Sequence, residues 1–168
     1  MSAGIVTISV ADYADPADAR DVVEVLDAYA RDPFGGAEAL AAHVRRDLVA
    51  ALAARAGAFS VLARVDGVAV GLANCFEGFS TFLCAPLINI HDMMVLAPFR
   101  GQRLAQQLMQ RVEQVALERG CCKITLEVLQ GNQHAQLVYR KMGYAGYQLD
   151  AEYGDALMWQ KKLPDRLP

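Results

Sequence analysis

Residues 95–105 read VLAPFRGQRLA, and this stretch joins the end of an apolar strand to the start of a helix. The pattern predicts a strand over Ile88–Leu96 and a helix over Gln102–Arg119. The first N–H groups of such a helix have no partner within it and lie at the positive end of its dipole, where anions bind. Gly101 lets a phosphate approach the backbone, and Arg100 adds a charged donor. Taken alone, an ordinary capped and solvated turn is the more frequent explanation.

Strands and helices alternate on both sides of this stretch, which predicts a mixed α/β sheet. Period-two and helical spacings predict these further elements: a strand over Ile5–Val10, a helix that Asp15 caps and that includes Tyr29, a second helix marked by Leu40 to Leu52, a hairpin of Phe59–Val65 and Val68–Phe76, a loop over 78–86, a strand over Lys123–Leu129, a helix over His134–Lys141 and a last strand over Ala156–Lys162.

Composition limits the classes of protein that the chain can represent. With 168 residues, 54% of them hydrophobic, it is long enough for one core, and we expect a single domain over residues 1–168. The formal net charge of −3, without a block of like charge, argues against nucleic acid or an anionic membrane as partner and favours a small molecule. Without a signal peptide or an apolar span, we expect a cytoplasmic protein. The four cysteines lack metal-ligand spacing, so we expect reduced thiols and no metal.

A second segment, LEVLQGNQHAQLVYRKMGY at 126–144, places Asn132 at the end of a strand and Tyr139 two helical turns later. With this segment, VLAPFRGQRLA resembles the pyrophosphate-binding segment of the GCN5-related N-acetyltransferase (GNAT) family, and N-x-x-A-x-x-x-Y-x-x-x-G-Y resembles the family's second signature. FSTFLCAPLINIHDMMV, at 79–95, is similar to the diamine and thialysine acetyltransferase branch. The resemblance covers most of the chain.

The resemblance implies a single-domain fold whose mixed, mostly antiparallel central sheet is flanked by helices and splays apart at an acetyl-CoA site. It implies that the cofactor contacts come from the backbone of Met93, Met94 and Val95, from the segment Arg100, Gly101, Gln102, Arg103, Leu104, Ala105 and Gln106, and from Asn132 and Tyr139. One departure is Arg103, where the family usually has glycine; we expect cofactor binding to survive it. For Asn132 a helix N-cap, and for Tyr139 a core aromatic, are the ordinary structural alternatives.

Acetyl transfer to an amine requires a base, because an amine is mostly protonated near neutrality. His91 is the candidate, since an imidazole that is largely neutral at pH 7 accepts a proton directly. A structural histidine in a half-buried strand is an equally weighted alternative. Alternation predicts that His91 and Asp92 point to opposite faces unless a bulge intervenes. Tyr139 is the candidate proton donor to the leaving thiolate, and the N–H of Met94 is the candidate oxyanion donor.

The acceptor is the least determined part of the prediction. Polyamine-acetylating relatives have Glu at the position of His91, so this chain has one carboxylate fewer for a dicationic substrate. Asp32 and Glu77 are candidates to hold a substrate ammonium, and ordinary solvated charges are the alternative for both. We expect direct acetylation of a primary amine on a small molecule, by a homodimer. Acetylation of a protein lysine or N-terminus, and a non-catalytic acyl-CoA sensor, are the alternatives.

Overall fold

The sheet contains five strands in the order β1-β2-β3-β4-β5. The computed structural model describes residues 4–161 and 163. Its elements, in chain order, are β1 (Val6–Val10), α1 (Pro16–Ala30), α2 (Ala42–Ala53), β2 (Ala58–Val65), β3 (Val68–Ser80), β4 (Ala85–Val95), a 3-10 turn (Ala97–Phe99), α3 (Leu104–Glu118), β5 (Ile124–Leu126) and α4 (Gln133–Lys141). They form two compact units that divide between Asn132 and Gln133.

The sheet is mixed and mostly antiparallel, as predicted. Strands β1 to β4 pair antiparallel with their neighbours, and β5 pairs parallel with β4. The β2–β3 hairpin turns at Asp66 and Gly67, whose φ angles of 50° and 81° suit a two-residue hairpin turn. Pairing between β4 and β5 covers only Ile88–Ile90, whereas β4 continues to Val95. Beyond Ile90, β5 does not pair with β4.

Two apolar layers cover the two faces of this sheet. One layer packs α3 on the sheet through residues such as Val61, Ile88 and Leu108, all 0% exposed. The other packs α1 and α2 on the opposite face through residues such as Val22 and Leu72, also 0% exposed. Because β2 and β3 lie between both layers, their buried residues run almost continuously instead of alternating.

A β-bulge interrupts β4 at His91. Cys75 pairs with Ile90 and Asn74 pairs with Asp92, so His91 is the extra residue opposite β3. The His91 ring packs edge-on against Phe76, which contributes to the layer of α1 and α2, and Asp92 bonds to Asn74 two residues earlier on the same face of β3. The expectation that His91 and Asp92 lie on opposite faces is wrong, because the bulge adds one residue to the alternation.

Two other parts of the chain differ from the sequence predictions, and one predicted helix cap is confirmed. The expected loop over 78–86 is wrong, because pairing continues to Ser80 with Ala85 and leaves a turn of residues 81–84. The described residues 156–161 of the expected last strand form no strand; a bridge joins only Gln148 to Asp155, and the side chains of Leu157 to Trp159 are exposed. Lys162, its final residue, lies outside the described residues. The N-cap is confirmed, since the Asp15 side chain accepts from the N–H of Ala17 at 3.0 Å.

Candidate functional site

The segment between β4 and α3 presents backbone N–H groups. The first backbone hydrogen bond of α3 runs from the N–H of Gln107 to the carbonyl of Arg103, at 3.2 Å. Helix geometry therefore leaves the N–H groups of Leu104, Ala105 and Gln106 without acceptors inside α3. Residues 100–103, immediately before them, are exposed. This end of α3 is a suitable place for an anionic group.

Two residues of this segment have backbone conformations that favour glycine. Gly101 has φ 81°, and a Cβ built there would meet nothing within 4 Å, so the backbone is open to a ligand. Arg103, at the N-cap of α3, has φ 61° and ψ 18°. The left-handed conformation costs a residue with a Cβ about 1–2 kcal/mol. A glycine at position 103 would adopt it freely, which gives a physical reason for the glycine usual in the family signature.

Arg100 connects this segment to the loop after α1. Its Nε donates to the carbonyl of Val95 at 2.9 Å, and its Nη2 donates to Asp32 Oδ2 at 2.8 Å. The bonds from Arg100 and from the N–H of Phe34 hold the pKa of Asp32 below its ordinary value. Arg100 and Asp32, predicted as separate ligands for phosphate and ammonium, are therefore partners in this structure.

The end of β4 supplies the next part of the site. Met93, Met94 and Val95 pair with β3, and the N–H of Leu96 donates to the carbonyl of Val70 at 2.8 Å. Met94 belongs to the layer of α1 and α2, whereas Met93 and Val95 contact the layer of α3. The strand is thus fixed by both layers, and its last residues, next to the turn that starts α3, are not paired by β5.

A network of polar side chains, Tyr13, Ser60, Asn74 and Asp92, crosses three strands of the sheet. Tyr13 and Ser60 share a hydrogen bond of 2.8 Å, Ser60 Oγ donates to Asn74 Oδ1 at 2.6 Å, and Asn74 Nδ2 donates to Asp92 Oδ2 at 3.0 Å. Ser60 and Asn74 are 0% and 3% exposed. We call these four residues the Asp92 network.

Tyrosine and carboxylate groups surround the bulge on this face. Burial raises the pKa of Tyr29, and the negative charges of Asp92 and Asp32 raise it further. Tyr29, on α1, therefore lies within electrostatic range of both carboxylates. His91, Asp92 and Tyr29 lie on the α1 side of β4, and since Asp32 is paired with Arg100, the carboxylate of Asp92 is the charge there that attracts a cation.

Glu77 is not brought to this region. It follows Cys75 by two residues on β3, on the face that α3 covers, and it pairs with Arg119 Nη1 at 3.2 Å. The same arginine lies 4.6 Å from the ring centroid of Phe59. Glu77 thus takes part in fixing the C-terminal end of α3 to the sheet.

The buried thiol near this region is protected from ionisation. Burial raises the pKa of Cys75 well above the ordinary range, and the charge of Asp92 raises it further. A thiol that stays protonated is a poor nucleophile. Cys75 therefore acts as a packed apolar residue on the α3 face of the sheet.

Asn132 lies just before α4, and Tyr139 lies within it. Asn132 directly precedes this helix, and its N–H donates to the carbonyl of Leu129 at 2.9 Å in the turn that ends the first unit. Tyr139 lies in the second unit with its ring 6.2 Å from that of Tyr144, centroid to centroid, and its carbonyl accepts from the N–H of Tyr144 at 3.0 Å. The two aromatic residues of the second signature thus support each other.

Comparison with known proteins identifies the family. The model of the acetyltransferase (GNAT) family matches residues 22–144. The chain belongs to this family. Thialysine N-epsilon-acetyltransferase of Bos taurus is 34% identical over 56 residues, a segment that covers 33% of this chain and 33% of that protein. The match therefore spans about a third of the length of that relative.

Solved structures agree with the family in fold. An aminoglycoside acetyltransferase from an uncultured soil metagenomic sample, in complex with sisomicin, superposes with a TM-score of 0.77 at 14% identity, covering 95% of this chain and 97% of that one. An aminoglycoside N-acetyltransferase in complex with CoA gives a TM-score of 0.71 at 16% identity, covering 96% and 98%. The predicted GNAT-like α/β fold is confirmed.

Sequence reasoning missed the Asp92 network. Its signal is nevertheless present: Ser60 lies in AFSVLARV and Asn74 in VAVGLANCF, each a polar residue in a strand that is otherwise mostly apolar. Buried polar groups need partners, so two such residues on paired strands indicate an internal hydrogen bond. Within the described residues, no helix is long and apolar enough to cross a bilayer, and no group of three His, Cys, Asp or Glu side chains is placed to hold a metal ion.

Proposed function

We propose that this protein is an acetyl-CoA-dependent N-acetyltransferase that acetylates a primary amine of a small molecule by direct attack. The observation that supports this best is the stretch of β4 from His91 to Val95 that β5 does not pair, which leads to the N–H groups without helical acceptors at the start of α3. An extended arm with an anionic end fits this combination of strand edge and helix terminus. When bound, acetyl-CoA supplies the acetyl thioester.

The residues of the first unit would bind the donor in two ways. The backbone of Met93 to Val95 would pair with the extended arm, and the N–H groups from Gly101 to Gln106 would hold the pyrophosphate, with the side chains of Arg100 and Arg103 as additional cations. Asn132 would bond to the same arm. The open space at the Gly101 Cβ position supports close approach of phosphate oxygens to the backbone.

The acceptor would bind on the α1 side of β4. His91 is exposed next to Phe76, and the carboxylate of Asp92 favours an ammonium group there, whereas Asp32 is paired with Arg100. His91 would remove the proton from the ammonium, and Tyr139 would return a proton to the thiolate. The N–H of Met94, predicted as the oxyanion donor, points to β3 like that of Leu96 and is not retained in this role. Glu77, on the other face of the sheet, is not retained in this site.

The relatives support an amine as the acceptor of the acetyl group. The names of the bovine relative and of the two superposed structures specify thialysine and aminoglycosides, which are amine-bearing small molecules.

The four free cysteines suit a reducing compartment, and we propose a cytoplasmic location on that basis. We also propose a homodimer, from the family resemblance and the apolar composition.

The proposal is tested by calorimetric titration with acetyl-CoA, followed by thiol release over a panel of primary amines. We expect a saturable binding isotherm and thiol release that depends on the amine and saturates with it. Binding without turnover of any amine would favour an acyl-CoA sensor. Turnover of a lysine-containing peptide but of no small amine would favour protein acetylation.

A further inference from the structure

We infer that Ser60 and Asn74 are positioning residues that hold the Asp92 carboxylate in place to receive the ammonium group of the acceptor. This inference rests on the proposed function, because it assigns a role within the same acceptor site. Three independent observations carry it: the direction of the hydrogen bonds, their burial, and the state of the second oxygen of Asp92.

The hydrogen bonds of the Asp92 network run in one direction. Ser60 has a single hydroxyl proton, which it donates to Asn74 Oδ1, so Tyr13 is the donor in the bond to Ser60 Oγ. With its Oδ1 engaged by Ser60, the amide of Asn74 is oriented so that its Nδ2 faces Asp92 Oδ2. The hydroxyl of Ser60 therefore fixes the amide, and the amide fixes the carboxylate.

Burial makes this arrangement rigid and costly to disturb. Ser60 and Asn74 are almost fully buried between the apolar residues Leu62, Leu72 and Phe76 on the same face. Apolar side chains in those two positions would extend that layer without any need for hydrogen bonds. Buried polar groups that are hydrogen-bonded to each other specify one geometry, and here the geometry that Ser60 and Asn74 specify is that of Asp92.

Only one oxygen of Asp92 is used by the network. Asn74 binds Oδ2, and Oδ1 has no hydrogen-bond partner among the described residues. Among the described residues, no fully buried side-chain oxygen or nitrogen lacks a partner, so Oδ1 of the half-buried Asp92 keeps some exposure to solvent. A carboxylate with one oxygen anchored and the other accessible is arranged to accept a hydrogen bond from an external cation.

The bulge brings this oxygen to the same side of β4 as His91. The titratable groups near Asp92 on this side of the sheet are Tyr29 on α1 and His91 beside it on β4, while Cys75 on β3 lies near Asp92 but on the α3 face. Burial keeps the pKa values of Tyr29 and Cys75 high, so both groups are neutral near pH 7. Asp92 thus supplies the local negative charge, and an ammonium bound to it would be held next to His91.

The test combines Asn74→Leu with Asp92→Asn in a double-mutant cycle, measured with the amine that the wild-type protein acetylates fastest. Hydrogen bonds to charged groups are strong enough that Asn74→Leu should raise KM for the amine about 10-fold. KM for acetyl-CoA should be unchanged. In the Asp92→Asn background, Asn74→Leu should have no further effect on KM for the amine, since the group that it positions is already neutral.

Serine variants provide the controls and a second route if Asn74→Leu does not fold. Ser60→Ala should raise KM for the amine in the same direction by a smaller factor, and Ser60→Thr, which keeps the hydroxyl, should restore it. Ser80→Ala is the matched control. Ser80 is buried like Ser60, but it lies at the end of β3 and outside the network. It should have wild-type KM values.

Two results would overturn the inference. One is an equal effect of Asn74→Leu on the amine KM in the wild-type and Asp92→Asn backgrounds. The other is an amine KM equal to that of the wild type in both Ser60→Ala and Asn74→Leu. These results differ from failure of the proposed function. If the wild-type protein acetylates no amine, the proposed function fails and the positioning role fails with it, whereas an active wild type with unaffected variants rejects the positioning role alone.

Discussion

Arg103 combines a strained backbone with a position in the proposed pyrophosphate site. Its φ of 61° places a long side chain in a conformation that glycine adopts without cost. The free energy of unfolding of Arg103→Gly should therefore be about 1 kcal/mol higher than that of Arg103→Ala, which keeps the strain. Chemical denaturation of the two variants measures this difference directly.

The same pair of variants distinguishes the effect of the Arg103 charge on cofactor binding from the effect of its backbone conformation on stability. If the guanidinium adds a cation to the phosphates, both variants should bind acetyl-CoA more weakly than the wild type and to a similar extent. Equal stability of the glycine and alanine variants would show that the left-handed conformation at position 103 is not the one that the protein adopts in solution.

His91 is the residue at which this chain departs from the polyamine-acetylating relatives. If it is the base, kcat/KM should rise with pH along a limb that His91→Ala removes, leaving only the rise that follows deprotonation of the amine. His91→Glu should retain activity and improve turnover of more highly charged amines, because it adds a carboxylate next to Asp92. An unchanged rate and pH profile in His91→Ala would make His91 structural, in keeping with its packing on Phe76.

Tyr139 carries the proposed role of proton donor to the thiolate. Tyr139→Phe should lower kcat by about 10- to 1000-fold, the usual range for loss of a general acid, while the affinity for acetyl-CoA changes little. The ring remains in the variant, so its packing near Tyr144 is preserved. Steady-state kinetics together with calorimetry distinguish the two quantities, and an unchanged kcat would mean that the thiolate leaves without this donor.

The loop between α1 and α2 depends on Asp27, a carboxylate on α1 that is 6% exposed. It accepts from the N–H of Leu40 at 2.9 Å and from Arg31 and Arg45 at 3.0 Å each. Burial raises the pKa of Asp27, but these donors outweigh it, and the pKa lies below its ordinary value. Asp27→Ala should lower the free energy of unfolding by about 2 kcal/mol, the scale of a lost charge-assisted hydrogen bond.

The pH dependence of this contribution has a defined sign. Because the pKa of Asp27 is lower in the folded than in the unfolded chain, its stabilisation is complete above the ordinary carboxyl pKa and is lost as the pH falls through the folded value. The stability difference between wild type and Asp27→Ala should be large at pH 7 and small near pH 2. A constant difference at both pH values in urea titrations would contradict this.

How far the elements were predictable depends on whether local pattern or tertiary context decides them. The Asp15 cap and the Asp66–Gly67 turn follow from local chemistry, and both are confirmed. The bulge at His91 arises from pairing between β3 and β4, and no local pattern in INIHDMMV specifies it. The extension of that hairpin to Ser80 and Ala85 has the same origin, since cross-strand pairing overrides the turn-like composition.

The candidate site was predictable where it is built from backbone and less so where it depends on side-chain partners. The start of α3 follows from the strand, glycine and helix order in the sequence. The ion pair of Arg100 with Asp32 joins residues 68 positions apart, and the bond between Asn74 and Asp92 crosses two strands. Such contacts require knowledge of the sheet register, which spacing along the sequence does not provide.

The assembly state is a prediction for the molecule as a whole. The family resemblance and the 54% hydrophobic composition lead us to expect a homodimer, because association buries apolar surface that a monomer would leave in water. Light scattering at micromolar concentration should give twice the chain mass of 18.2 kDa. A mass equal to that of a single chain would remove the prediction.

Direct acetyl transfer to a small primary amine is the central claim, and product analysis tests it most directly. The protein is incubated with acetyl-CoA and the best amine of the panel, and both the small molecules and the protein are analysed by mass spectrometry. We predict one N-acetylated amine for each CoA released, with the protein unmodified throughout, in keeping with the buried, protonated thiol of Cys75. Release of CoA without N-acetylated amine, or an acetylated cysteine that forms before the product and decays with it, would contradict the claim.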